Sequence, residues 1–396
     1  MLRIGIIGAG AAGCFCAAEL SRRLPRAQIT VYEAGTRPLA KVSITGGGRC
    51  NFTNSFAFVG DLKEVYPRGD RLMKRALRNF SQEDCREWFL REGVESVVQD
   101  DQCVFPMSQD AMQIVRALER AMRKGNVRVL CNRRIGNISE LDEEIKVVTT
   151  GGGALKLLDG SGIGTTACVP SLFTFKIPVP ELTSLMGTTV PEVQLSIPGT
   201  GFRSTGILLV TDWGISGPAT LRLSSYAARF LAENQYCTSV CINWLSESEQ
   251  QAREELERLA AENPKKLVSG ARPAQLSERC WKHILGRASL REGLRWAEMG
   301  SKGLNKLCNS LTTDIYPVRG RAKFKEEFVT CGGVSLDEIN LNTLESKKVP
   351  GLFFAGEVLD LDAVTGGFNL QAAWSTGYTV AKSIAEKYSE GFRQAI

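Results

Sequence analysis

The run Gly8-Ala9-Gly10-Ala11-Ala12-Gly13 lies between strand-forming residues, Arg3 to Ile7, and a helix-forming stretch that continues to Leu24, and it constrains the fold more than any other feature. The first glycine permits a tight turn, the second lets backbone approach a pyrophosphate, and the third lets the helix pack close against the strand. Backbone N–H groups and roughly half a positive charge from the helix dipole then face the phosphates. Glu33 follows Gly13 by twenty residues and closes a second strand pattern, Gln28 to Tyr32. A carboxylate there can accept hydrogen bonds from a ribose. Strand, turn, helix and strand form a βαβ unit, which predicts an α/β domain with a parallel sheet that holds an adenine dinucleotide.

A chain of 396 residues exceeds one ordinary domain, since domains run to roughly 100 to 200 residues. The patterning suggests four stretches: 1–168 as the first part of the dinucleotide domain, 169–245 as a β-rich insert, 246–322 as a helical insert, and 323–396 as the return to the first domain. The β-rich insert shows short runs, SLFTFKI, EVQLSI, GILLV and TSVCINWL, separated by Pro and Gly turns. Helix starts are expected at the Ser81 to Asp84 capping box, at Ser108 after Phe105-Pro106, and at the Ser246 to Glu249 box, whose helix Asn263-Pro264 stops. The sheet pattern returns in EEFVT near Glu326 and in GLFFAGE at 351–357, followed by a helix from about Asn369 to Tyr388.

No apolar run approaches the roughly 18 to 20 residues needed to span a bilayer, so a soluble protein is expected. The strand pattern already begins at Leu2, which predicts no signal segment and a cytoplasmic location. The twelve cysteines are scattered, with no Cys-x-x-Cys pair and no accompanying histidines, so neither disulfides nor a metal site is expected. Net charge is +6, and seven basic residues against Glu119 fall between Arg116 and Arg134. Ile114, Val115, Leu118, Ala121 and Met122 make the other face of that stretch apolar, and no aromatic residue interleaves to stack a base. A solvated helix face is therefore the preferred reading of that stretch over a nucleic-acid surface. Oligomeric state is not legible.

Further motifs carry chemistry. The polar loop KVSITGGGRCNFTN, from Lys41 to Asn54, has no helical or strand period and is too long for a simple connector. Thr150-Gly151-Gly152 ends a strand with small residues, consistent with backbone passing near a cofactor. Gly366-Gly367-Phe368-Asn369 precedes a helix whose first N–H groups could meet an electronegative group of a cofactor. Cys50 reads as a structural thiol more readily than a catalytic one, and His283, the only histidine, as a packed or surface imidazole. Asp212, Glu357, Asp360 and Asp362 are carboxylates that ion pairs or cofactor contacts would explain equally well. GSGIG at 160–164 does not sit between strand and helix, so no dedicated NAD domain is indicated.

GAGAAG, TGGGRCNFTN at 45–54, TTGG at 149–152, TDWGISGPATLRLS at 211–224 and the run from Gly332 to Tyr378 together resemble the BaiN and aminoacetone-oxidase-like family of FAD-dependent oxidoreductases. The resemblance spans nearly the whole chain. It implies a Rossmann-type, glutathione-reductase-like FAD domain interrupted by a substrate-side insert that is β-rich and then helical. It further implies that Gly8, Ala9, Gly10, Ala11, Ala12, Gly13 and Glu33 hold the ADP moiety of non-covalent FAD. Lys41, Thr45, Gly46, Gly47, Gly48, Arg49, Cys50, Asn51, Ile135, Thr150, Gly151, Gly356, Glu357, Gly367, Asn369, Leu370 and Gln371 are implied as further contacts. The chain departs from the family where a Thr-His-Trp-Gly becomes Thr211-Asp212-Trp213-Gly214, and where the segment before Pro170 is about a dozen residues short. Catalytic residues are therefore left unassigned.

The expected activity is transfer of a hydride from NAD(P)H or a small organic substrate to flavin N5, and from there to a second substrate or oxygen. NAD(P)H would bind transiently or not at all. Two alternatives stand beside it: an FAD-dependent tRNA-modifying protein, and an FAD-binding protein with little catalysis.

Overall fold

A computed structural model describes residues 1–153, 155–321 and 329–393. The chain divides into two compact units, Met1–Val169 with Val329–Ile396, and Pro170–Phe328. Glu326, Glu327 and Phe328 of the expected EEFVT strand, and the expected boundary at 322/323, lie outside the described residues.

The first unit is an α/β domain of the Rossmann type, built on a five-stranded parallel sheet. Its order is Leu352–Phe354, Ile145–Val148, Arg3–Ile7, Gln28–Tyr32, Arg128–Leu130. Ile4, Ile6, Val31, Ile145, Val147, Phe353 and Phe354 are fully buried, as expected of parallel strands covered on both faces. Registers Ile7↔Tyr32, Ile7↔Val148 and Phe354↔Val148 bring four strands to a common carboxyl edge. The chain adds strands on one side of Arg3–Ile7 and then crosses to the other at Ile145–Val148. Ligands of open α/β sheets bind at such a switch point, beyond the carboxyl ends of the strands.

Helix Ala11–Arg23 and the C-terminal helix Phe368–Arg393 pack together against this sheet. Gly377 permits the approach, since a Cβ there would come within 2.9 Å of Ala12 O. Phe15, Phe80, Trp88, Phe89 and Trp374 form an aromatic cluster with ring centroids 4.8 to 5.5 Å apart. Glu19, buried within it, accepts from Trp88 Nε1 at 2.8 Å and pairs with Arg22 and Arg23. Helix Gln82–Arg91 begins at the expected Ser81–Asp84 capping box. Helix Ala111–Lys124 begins two residues later than expected: Asp110 caps it, and Ser108 Oγ instead accepts from Asp110 N. Its apolar face is buried, while Arg120 donates to Glu92 O and Lys124 pairs with Glu92.

The second unit carries a six-stranded antiparallel sheet in the order Asp314–Arg319, Cys237–Asn243, Thr189–Ser196, Arg203–Thr211, Gly214–Ser216, Phe175–Lys176. Its strands and helices share one core, which replaces the expected division at 245/246. Leu195, Val210, Val240 and Ile242 from the sheet join Leu256, Trp281, Ile284, Trp296 and Leu311 from the helical segments. A lone sheet with one apolar face cannot bury it, and the helices supply the missing layer. Ser248, paired with Gln251, caps the first of those helices, Glu249–Glu262. The expected cap, Ser246, adopts φ +58°, whereas an N-cap needs extended backbone. No described helix is long and apolar enough to cross a membrane.

Candidate functional site

Five segments of the first unit converge at the carboxyl edge of its sheet. Gly8 adopts φ +107°, and a Cβ there would stand 2.6 Å from Thr149 O. A Cβ on Gly13 would collide with Gly8 O and approach Thr149 Oγ1 to 2.5 Å. Thr149 Oγ1 donates toward Ile7 O and Gly8 O, so one hydroxyl ties the turn to the neighbouring strand. Around Gly10 the space is open, leaving its backbone approachable. Glu33 Oε2 accepts from Ala9 N at 2.8 Å and Oε1 from Gly35 N at 2.6 Å. These bonds fix a carboxylate beside the turn and leave each oxygen a second acceptor site.

The loop after Lys41 is a wound turn, Val42–Gly48, in which Gly46, Gly47 and Gly48 have φ of +58°, +68° and +83°. Residues with a side chain rarely adopt such angles in succession, which explains the glycine triplet. Thr45 O accepts from Cys50 N and Gly46 O from Arg49 N, and the Arg49 guanidinium stacks 4.4 Å above the Phe105 ring. Lys41 and Arg49 are exposed, Thr45 half-buried. Cys50 is fully buried, and burial pushes its thiol up to about 12. A thiolate is disfavoured there.

The carboxy-terminal segment meets this loop. A Cβ on Gly367 would stand 2.6 Å from Asn51 Oδ1 and collide with Thr53 O, so the Asn51–Asn54 backbone and Gly366–Gly367 touch. Asn54 Nδ2 donates to Gly366 O at 3.0 Å, and Tyr66 OH donates to Phe368 O at 2.9 Å. Gly356, at φ +75°, abuts Ala12, and Glu357 Oε1 accepts from Thr330 N at 2.8 Å beside Gly151. The helix beginning at Phe368 directs its first N–H groups and the positive end of its dipole toward this junction.

Several expected contacts are made by other means. The Gln371 side chain is fully buried: Oε1 accepts from Thr53 Oγ1 at 2.5 Å and Nε2 donates to Ser375 Oγ at 2.9 Å. It therefore braces the loop to the helix. Asn369 holds Ala363 through Oδ1 from Ala363 N and Nδ2 to Ala363 O, both 2.9 Å, with Leu370 half-buried beside it. Only the backbone of this turn is left to face a ligand. Ile135 is buried two residues after Arg133, whose N donates to Glu33 O. Asp362 is bound bidentately by Arg68, and exposed Asp212 lies in the second unit. His283 is also in the second unit, where its Nε2 lies 2.6 Å from Tyr316 OH. Thr149, Thr330 and Thr53 were not singled out by sequence; Thr149 opens TTGG, but nothing in the pattern shows that its hydroxyl, rather than the glycines, ties the turn.

A family model described as "HI0933-like protein Rossmann domain" matches residues 2–159 and 196–383. A ribosomal RNA dihydrouridine synthase of Escherichia coli strain K12 is 30% identical over 96% of this chain and 97% of its own. The chain belongs to the HI0933-like family. Another relative of this HI0933-like chain, a 3-dehydro-bile acid delta(4,6)-reductase of Clostridium scindens, is 27% identical over 98% of this chain and 100% of its own. Among solved structures, a 3-ketosteroid delta1-dehydrogenase from Sterolibacterium denitrificans aligns over 98% of this chain and 100% of that one, with TM-score 0.47 and 11% identity. HI0933-like proteins are FAD-binding oxidoreductases of Rossmann type.

The residues present fit that cofactor. Asn51 Oδ1 and Thr150 Oγ1 are buried without a hydrogen-bond partner in the protein. Asn51 adjoins Gly367, and Thr150 adjoins Gly8, whose added Cβ would meet Thr150 Cα at 3.0 Å. Buried polar atoms are nearly always satisfied, and two orphans flanking a glycine-lined junction mark where a polar ligand completes the structure.

Proposed function

We propose that this HI0933-like chain is an FAD-dependent reductase that saturates a carbon–carbon double bond conjugated to a carbonyl, with NAD(P)H as transient electron donor. The observation that carries it is the orphaned pair Asn51 Oδ1 and Thr150 Oγ1, set where the two ends of the chain meet. The reaction class draws on the names of two relatives matched almost end to end: making dihydrouridine saturates the uracil 5,6 bond, and a delta(4,6)-reductase of a 3-dehydro compound acts on an unsaturated ketone.

Each segment then has a role. The Gly8–Gly13 turn and the amino end of helix Ala11–Arg23 receive the pyrophosphate, and Glu33 accepts from the adenosine ribose. The Gly46–Gly48 backbone, Asn51 and Thr150 line the isoalloxazine end. The amino end of helix Phe368–Arg393 stabilises negative charge at the pyrimidine side. When bound, FAD would accept a hydride from NAD(P)H and deliver it to the alkene, the second hydrogen entering as a proton. Cys50, held as a thiol, takes no electrons.

Anaerobic mixing of FAD-loaded protein with NADPH or NADH should bleach the visible flavin band, and a 4-en-3-one steroid or a uridine-containing oligonucleotide should restore it. A protein that neither nicotinamide bleaches, or that only oxygen reoxidises, would refute the proposal.

A further inference from the structure

A second feature of the first unit lies away from the glycine junction. Between helix Asp70–Asn79 and the distal part of helix Phe368–Arg393 is a groove of about 680 Å³. Arg71, Lys74, Arg75, Arg78 and Lys382 line it, with Glu386 as its one acidic residue. On the first helix the cations fall at i, i+3, i+4 and i+7, a single face, while Leu72, Met73 and Ala76 are buried on the other. Like charges at these spacings repel, so the stripe costs stability unless something neutralises it.

The fold does little to neutralise it. Arg71, Lys74 and Arg78 have no hydrogen bond or ion pair among the described residues. Arg75 Nη1 donates to Asn342 Oδ1 at 2.6 Å and Lys382 Nζ to Asn79 Oδ1 at 3.2 Å, so neutral amides aim these charges without cancelling them. Only Lys382 approaches Glu386, at 3.9 Å. Arg258, by contrast, bridges Glu255 and Glu262.

We propose that this groove docks the phosphodiester backbone of RNA. Arginine forks match phosphate oxygens, and the Asn and Ser/Thr groups of the groove can donate to phosphate or sugar. No aromatic residue lines it, so it offers no platform for stacking bases and would grip backbone independently of sequence. The stripe covers about 10 Å of helix at 1.5 Å per residue, room for a few phosphates. No apolar residue lines the groove either, which disfavours insertion into a lipid surface.

The choice of a polymer over a dinucleotide rests on the reductase reading above. Lys382 lies thirteen residues beyond Asn369, about 20 Å along the helix from its amino end. A nicotinamide donor must touch the flavin ring and cannot also be anchored so far away, whereas one RNA can occupy both places. That one relative acts on ribosomal RNA by name accords with this occupant.

The test is fluorescence anisotropy of a fluorescein-labelled RNA hairpin titrated with the FAD-loaded full chain. Wild type should bind with steep salt dependence. The triple variant Arg71→Glu, Arg75→Glu, Arg78→Glu should bind at least about tenfold more weakly, with a log–log salt slope shallower by about 2 to 3. Flavin absorbance and melting temperature report folding, and the triple Gln version replaces the Glu version if that fails to fold. Arg116→Glu with Arg123→Glu, on the other basic helix, should leave binding unchanged. Unaltered affinity in the triple variant, loss only in the Arg116/Arg123 variant, absence of RNA binding at low salt, or preference for phosphatidylserine vesicles over RNA would each overturn the proposal. Bleaching by NADPH should be the same in the groove variant and in wild type. Failure of bleaching removes the reductase, and failure of the RNA shift removes the groove.

Discussion

Thr149 and Thr150 are adjacent and chemically identical, one buried and the other half-buried, yet only one is satisfied. Thr149 Oγ1 closes onto Ile7 O and Gly8 O, while Thr150 Oγ1 is buried with nothing to bond. Replacing a satisfied hydroxyl strands its partners, whereas replacing an orphan removes only a desolvation cost. Thr150→Val should therefore leave the FAD-free protein as stable as wild type or slightly more so. FAD affinity should fall by roughly tenfold, about 1 to 1.5 kcal/mol for one lost hydrogen bond. Thermal unfolding with and without FAD separates the two effects, and equal FAD affinity would show that Thr150 does not touch the cofactor. At this scale the sequence was legible where the backbone decides: Gly8 and Gly13 are readable because any Cβ there collides. It was not legible for Gln371, whose partner Thr53 lies 318 residues away.

Elements were read well where they rest on local rules and less well where two local patterns compete. Ser81–Asp84 is a capping box in sequence and in structure, while Ser246 and Ser248 both fit the pattern and only backbone conformation chooses. The joining of one element to another was not legible at all. In the second unit, Asp314 accepts from Trp244 Nε1, Tyr316 OH and Arg287, and His283 lies 2.6 Å from the same tyrosine hydroxyl. Tyr316 OH thus lies between the Asp314 carboxylate and the His283 ring, and the ring tautomer sets which of the histidine and the tyrosine donates in their contact. Burial lowers the His283 pKa below its ordinary value, with the Asp314 carboxylate opposing and Arg287 reinforcing. The unfolded chain then takes up this proton first on acidification, so the contribution is fully present above the ordinary histidine value of about 6.5 and declines as pH falls toward the folded value. The melting temperature of the second unit should drop over that window, and His283→Gln should flatten the drop. An unchanged profile in the variant would remove His283 as its cause.

The whole molecule is two cores on one chain, the first assembled from both ends and the second from the middle. The insert does not run as β then α: helices Pro218–Tyr226 and Ala228–Glu233 interrupt the expected β stretch, strand Asp314–Arg319 falls in the expected helical one, and that both share one core depends on which face each element buries. The cationic face of helix Asp70–Asn79 can be read from its i, i+3, i+4, i+7 spacing, but that it faces Lys382 some three hundred residues later cannot. Calorimetry should resolve two transitions. FAD at a hundredfold excess over its dissociation constant adds about 2.7 kcal/mol to the unit that binds it. Only the first unit's transition should rise, by roughly 5 to 10 °C for a unit of that size. A single transition moving as a whole would show that the cores unfold together.

Strand Leu352–Phe354 is the edge of a sheet whose centre, Arg3–Ile7, leaves the ribosome some 350 residues earlier. The first unit's sheet is therefore completed only by residues that follow the whole of the second unit in the chain. A chain lacking that strand and the helix after it would keep the glycine turn but lose the neighbour of Lys146–Val148 and the helix that packs on Ala11–Arg23.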